Sequence, residues 1–152
     1  MKGKPAKLTE DIGGWYVSEK LDGMRCLWDG GVSRGVPIAD VPWANTGKGD
    51  TAIATGLWSY YANPINAPEW FVNALPVCPL DGELFGGRGE YQKTMSVCRK
   101  KVPIDEEWRR ISFQVFSTPP LMSLFQDGEI KHKHLEKKIV WEHCLDFSKC
   151  LA

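Results

Sequence analysis

A chain of 152 residues with 43% hydrophobic and 25% charged side chains has the size and balance of one soluble domain with its own core. Its 19 basic and 19 acidic residues cancel, so bulk charge singles out no polyanion as partner, although a local basic patch stays compatible with it. The opening run MKGKPAKLTEDIGG lacks the apolar centre of a signal peptide and no run approaches a membrane span, so the expectation is a cytosolic protein without membrane contact.

In chain order, Trp15–Lys20 and Met24–Trp28 read as strands joined by a turn at Leu21-Asp22-Gly23. Asp29-Gly30-Gly31 is a hairpin signal, with Val32-Ser33-Arg34 as the returning strand. Residues 35–67 are rich in Gly, Pro, Asn and small side chains without a clear period, and read as a long loop. Pro68 opens a short helix as its first residue, with Glu69 in the first turn, Trp70, Phe71 and Leu75 along it, and Pro76 as the stop. Val77–Phe85 reads as a strand. Tyr91, Met95 and Cys98 form a helical stripe closed by Arg99, Lys100 and Lys101, and a second short helix covers Asp105–Arg110.

Ile111, Phe113 and Val115 alternate with Ser112 and Gln114 as in a half-buried strand, and Phe116 shares the face of the two polar residues. A last helix is expected over His134–Phe147, with Leu135, Ile139, Val140, Cys144 and Phe147 on one side. His132 and His134 are two apart, which does not put them on one helix face, so with His143 they read as solvated residues of a basic helix rather than metal ligands. The five cysteines include no CxxC and read as free thiols. Seven tryptophans are many for this length, and the polar edge of the indole leads us to expect some along a groove.

Four places have residue types suited to chemistry. In SEKLDGMRC, Lys20 stands at a strand end beside an Asp-Gly turn, on the same face as Ser18. A backbone-held lysine can be a nucleophile once a nearby cation such as Arg25 favours loss of its proton; Arg25 can also fork onto a phosphate. The alternative is a hairpin tip with solvated charges. Glu83 in LDGELFGG offers a carboxylate for a ribose hydroxyl or a hard metal, or else faces outward from its strand. Phe116 can stack on a base or be one more core aromatic. Arg34 can reach a second phosphate or be a surface charge.

Together KLDGMR, SRG, DGELFGGRGEYQ and FQVF, in that order between Trp15 and Pro119, resemble the nucleotidyltransferase domain of ATP-dependent DNA ligases, particularly small bacteriophage and bacterial forms; NPINAPEWF adds to the likeness. The resemblance implies an α+β, ATP-grasp-like fold, with antiparallel sheets flanked by helices around a nucleotide cleft. It implies ATP and Mg²⁺ as cofactors and nicked double-stranded DNA as partner. Lys20 would be the adenylated nucleophile. Ser18 would lie by the adenine edge, Arg25 by the ribose or a phosphate, and Arg34 by the 5′-phosphate of the nick. Glu83 would bind ribose and help with metal, and Phe116 would stack on adenine.

Two departures stand beside the likeness. Ser117 occupies the place of the acid that usually follows the aromatic of FQVF. Between Leu121 and Ala152 neither the Glu-Gly-hydrophobic motif nor the later lysine pair is found, so residues 1–152 read as a partial adenylation domain without the OB-fold domain. The alternatives are a non-catalytic remnant that binds nucleotide or DNA, and an RNA ligase or capping-type nucleotidyltransferase.

Overall fold

Alternation along MRCLW sets Met24, Cys26 and Trp28 against Arg25 and Leu27, and this stretch is strand β1 (Met24–Trp28). The computed structural model describes residues 18–45 and 51–120, together with 7, 9, 11, 13 and 14. In it β1 lies inside a four-stranded sheet with β2 (Leu57–Ser59), β3 (Leu80–Phe85) and β4 (Ser112–Ser117), in the order β2-β1-β3-β4. Every pairing is antiparallel, with Leu27 opposite Trp58, Arg25 opposite Glu83 and Glu83 opposite Gln114.

One face of this sheet is mainly apolar. Cys26, Trp28, Leu57, Leu80 and Leu84 pack there with Phe71 and Val72 of helix α1 (Glu69–Asn73), Cys98 of α2 (Tyr91–Cys98) and Trp108 of α3 (Asp105–Trp108). The Phe71 and Trp108 rings meet edge to face at 4.9 Å. On the opposite face Leu27 and Trp58 are covered by Ile38, Val41 and Ala54, brought over by a 3-10 turn at Ile38–Asp40. This cover leaves the polar residues of β1, β3 and β4 outside it. The expected α+β class is present as one antiparallel sheet among the described residues, where several sheets were expected.

Three expected elements differ. Ser18–Lys20 is not a strand, and Trp15–Val17 lie outside the described residues. The reason is occupancy: β2 and β3 take both edges of β1, so a preceding segment has no edge left to pair with. Val32-Ser33-Arg34 is a turn rather than a returning strand. The Asp29 carboxylate accepts hydrogen bonds from the Gly31 and Ser33 backbone N–H groups, diverting them from any ladder. The returning strand is β2, drawn from the stretch read as loop, which also folds back on itself where Gly35 donates to Ala54 O and Ile38 to Ala52 O.

Smaller differences have local causes. Pro68 precedes α1 as its cap instead of opening it. Trp70 turns outward and is 42% exposed, while Trp28, Trp58 and Trp108 are core residues. Trp28 donates its indole N–H to Pro76 O, whereas that of Trp108 has no acceptor among the described residues. The expected helix at His134–Phe147 lies outside the described residues. No described helix is long and apolar enough to cross a membrane.

Among the described residues, Asp29 is the most heavily used buried carboxylate. Besides the two backbone donors it accepts from the Ser33 hydroxyl and from Trp58 Nε1 at 3.0 Å, and it is 1% exposed. Asp29→Ala strands the Gly31 and Ser33 donors and leaves Trp58 Nε1 only its longer contact to Ser33 Oγ at 3.2 Å, and the expected loss is about 3 kcal/mol of unfolding free energy. Urea denaturation checks this as a lower midpoint at unchanged slope. Asp29→Asn keeps one acceptor oxygen and is expected to lose less.

Candidate functional site

The turn after Lys20 is tied directly to β3. Gly23 donates its backbone N–H to Glu83 Oε1 at 2.7 Å. Only a glycine fits there, because a Cβ on residue 23 would stand 2.3 Å from Leu84 O and 3.0 Å from Glu83 Cγ. Asp-Gly is therefore a close approach of two backbones rather than a free loop tip.

Beside it, Arg25 donates from Nε to Asp81 Oδ1 at 2.7 Å and from Nη2 to Asp81 Oδ2 at 2.5 Å. Asp81 and Glu83 are two apart on β3, so both carboxylates share the face of Arg25. Burial works against the Arg25 charge, but the Asp81 hydrogen bonds and the charges of Asp81 and Glu83 outweigh it, and its pKa is raised. The guanidinium lies over the Phe116 ring, 5.4 Å from its centroid. A bulge in β4 pairs Asp81 with Ser117 and Gly82 with Val115, leaving Phe116 as the inserted residue. Tyr60, just past β2, is near enough to Arg25 to contribute to its electrostatic environment. Ser117 stands opposite Asp81, and its buried Oγ has no hydrogen-bond partner among the described residues.

Lys20 and Ser18 are exposed on the segment leading into the Gly23 turn. Glu19 between them forms a two-pronged pair with Arg88, Nε to Oε1 and Nη2 to Oε2, both at 2.7 Å. This links the lysine segment to the loop between β3 and α2. The Arg88 hydrogen bond, aided by its charge against a small desolvation, holds the Glu19 carboxyl below the usual range.

The structure thus brings Arg25, Glu83 and Phe116 together and ties the Lys20 turn to them through Gly23. Arg34 is not among them. It lies in the turn beyond the opposite end of β1 and contacts Glu69 and Asn73 of α1. Sequence reasoning assigned no part to Asp81, Glu19 or Arg88. The two-residue spacing of Asp81 and Glu83 was a usable signal for a shared face; nothing in the order of residues signalled the Glu19–Arg88 pair, which spans 69 positions.

The described residues hold no group of three or more His, Cys, Asp or Glu arranged for a metal ion. Among the described residues, Cys26 and Cys98 are buried free thiols. Burial pushes the Cys26 thiol well up and that of Cys98 to about 12, so neither is a nucleophile at neutral pH.

The geometry defines an α+β domain in which the segment carrying Lys20 leads into a turn held to β3, beside a cation, carboxylates and an exposed aromatic on one sheet face. No family model matches the chain. A DNA ligase of Haemophilus influenzae is 24% identical over 111 residues, covering 73% of this chain and 32% of that ligase. A solved Lig E DNA ligase, from a structure–function study of DNA binding with a minimal scaffold, is 30% identical, with a TM-score of 0.48; the match covers 67% of this chain and 31% of that one. The chain spans about a third of the length of either. Its sequence is similar to that of a DNA ligase, and the resemblance carried by the four motifs is borne out.

Two outcomes follow from this geometry. Asp81→Asn, which breaks the charge pairing of a largely buried clamp, is expected to lower stability by about 2 kcal/mol in thermal or urea unfolding. For Glu19 the lowered carboxyl pKa contributes stability above its unfolded value, and that contribution is lost as pH falls through the lowered one. Both partners are at the surface, so the readout is titration itself. In Arg88→Ala the Glu19 carboxyl carbon, followed by NMR, is expected to titrate back in the ordinary carboxylate range.

Proposed function

We propose that residues 1–152 form the lysine-bearing part of an ATP-dependent DNA ligase adenylation domain, with the nucleotidyltransferase fold of that superfamily. Its substrates are ATP and nicked double-stranded DNA, and Mg²⁺ is its metal. The observation that carries this reading is the Gly23–Glu83 hydrogen bond. It joins the turn of K-x-D-G-x-R to the strand of L-D-G-E-L, so residues far apart in the chain meet on one sheet face.

In this reading Lys20 Nζ, once deprotonated, attacks the α-phosphorus of ATP. The N–P bond forms as the bond to the pyrophosphate oxygen breaks, and AMP stays on Lys20 as a phosphoramidate. A 5′-phosphate oxygen at the nick next attacks the AMP phosphorus and releases the lysine. The 3′-hydroxyl then attacks the nick phosphorus, and AMP leaves as the strand closes.

Phe116, 43% exposed, offers a ring for stacking on adenine, with Arg25 already against it. Arg25, oriented by Asp81, keeps a fixed positive charge by the ribose or a phosphate. Ser18 lines the adenine edge, and Arg34 receives the 5′-phosphate. Glu83 uses Oε1 to hold Gly23, which leaves its second oxygen for a ribose hydroxyl or the metal. Mg²⁺ commonly sits on one or two carboxylates plus substrate phosphates, and Glu83 fits such a partial donor set. When bound, the metal neutralises phosphate charge.

The test is self-adenylation with Mg²⁺ and ATP labelled at the α-phosphate. Covalent, acid-labile label is expected on the parent chain and none on Lys20→Ala. Gly23→Ala, which forces the turn off β3, is expected to cut the labelling rate at least tenfold, about 1.4 kcal/mol of barrier. ATP binding without covalent label would replace this reading by a non-catalytic nucleotide-binding domain. Equal labelling by GTP would favour a capping-type enzyme.

A further inference from the structure

Arg34 meets α1 through a single nitrogen. Nη2 donates to Asn73 Oδ1 at 2.6 Å and to Glu69 Oε2 at 3.2 Å. Positions 69 and 73 are one helical turn apart, so both acceptors stand on one side of α1. They are unequal partners. Asn73 makes the shorter contact and carries no charge. Glu69 makes the longer one and its side chain is 84% exposed, so its carboxylate gives up the contact to water or another anion at small cost.

Nε and Nη1 of Arg34 have no partner among the described residues. A guanidinium grips a phosphate best through two parallel N–H donors on adjacent nitrogens. Either such fork, side-on with Nε or end-on with Nη1, includes Nη2. Glu69 therefore occupies one half of a fork that a phosphate would need, while Asn73 holds the other hydrogen of the same nitrogen and fixes the plane.

We propose that α1 is the second wall of a phosphate monoester site at Arg34. Asn73 is the positioning residue, and Glu69 is a carboxylate that keeps the place the phosphate takes on binding. The proposal rests on the reading that Arg34 receives the 5′-phosphate of a nick. A terminal phosphate carries more negative charge than a carboxylate and offers three oxygens, so it displaces Glu69 and completes the fork. Asn73, neutral, stays in place as the exchange occurs.

The experiment uses the full chain and two nicked duplexes that differ only in a 5′-phosphate or a 5′-hydroxyl at the nick, with binding followed by fluorescence anisotropy at fixed salt. The parent is expected to prefer the 5′-phosphate, and Arg34→Ala to lose that preference. Glu69→Gln removes the competing charge and is expected to tighten 5′-phosphate binding about threefold. Asn73→Ala removes the orienting acceptor and is expected to weaken it about fivefold. Asn73→Asp, nearly isosteric, is expected to weaken it further by holding the guanidinium in a second ion pair. None of the α1 variants is expected to change binding to the 5′-hydroxyl nick. Both positions are exposed, so circular dichroism should match the parent. If Arg34→Ala removes the preference while the α1 variants bind as the parent does, or Glu69→Gln binds more weakly, the seat on α1 is overturned and the Arg34 reading survives. If the parent shows no preference, or Arg34→Ala keeps it, the Arg34 reading fails and the seat fails with it.

Discussion

Two parallel hydrogen bonds from Arg25 to Asp81 govern the polar side of the sheet. The Asp81 side chain is 5% exposed and that of Arg25 25%, so both charges have given up much of their water. Such a pair is tolerated only when its geometry is good and each charge is answered, which the two-pronged contact provides. It also settles a second conflict. Asp81 and Glu83 are like charges on one strand face, and Arg25 stands against both. With that repulsion relieved, Glu83 is available to accept from Gly23, and the guanidinium becomes a fixed plate against Phe116. One clamp thus connects the turn after Lys20, the carboxylates of β3 and the aromatic of β4.

The sheet makes this possible by having two unlike faces. The helices seal one with apolar side chains, including the Phe71–Trp108 contact. The other is divided. Leu27 and Trp58 are covered by Ile38, Val41 and Ala54, while the β3 and β4 end stays polar. A polar surface built on strands gains rigidity from the ladder beneath it, and three strands contribute side chains to this one. The Glu19–Arg88 pair is of another kind: exposed and weakly stabilising, it ties the lysine segment to the loop after β3.

Much of this was legible in the residue order wherever a single periodicity ruled. Met24–Trp28 and the alternating run up to Val115 were readable as strands, and the Tyr91, Met95 and Cys98 stripe is helical, with Thr94 completing its inward side. Phe116 was readable as an aromatic on a polar face, although the bulge that inserts it was not. The failures share a cause. β2 is three residues long, too short for any period, and its place is decided by Leu27 and Trp58 finding each other across the sheet. Ser33-Arg34 looked like a strand because nothing local announces that Asp29 will capture the N–H groups of the turn. Arg25 was readable as a cation, but its partner lies 56 positions away.

The position of β2 has a consequence for how the chain tolerates changes of length. Residues 35–67, with their glycines and prolines, look like a surface excursion of the kind that shortening removes freely. Here the excursion returns as a strand, supplies Trp58 to the Asp29 network and occupies one edge of β1. Excising it would bare that edge, uncover Leu27 and leave a buried carboxylate short of a donor. Deletions in this stretch are therefore confined to those that preserve Leu57–Ser59 and its path back to α1, and a minimised version of the domain must carry the excursion with it.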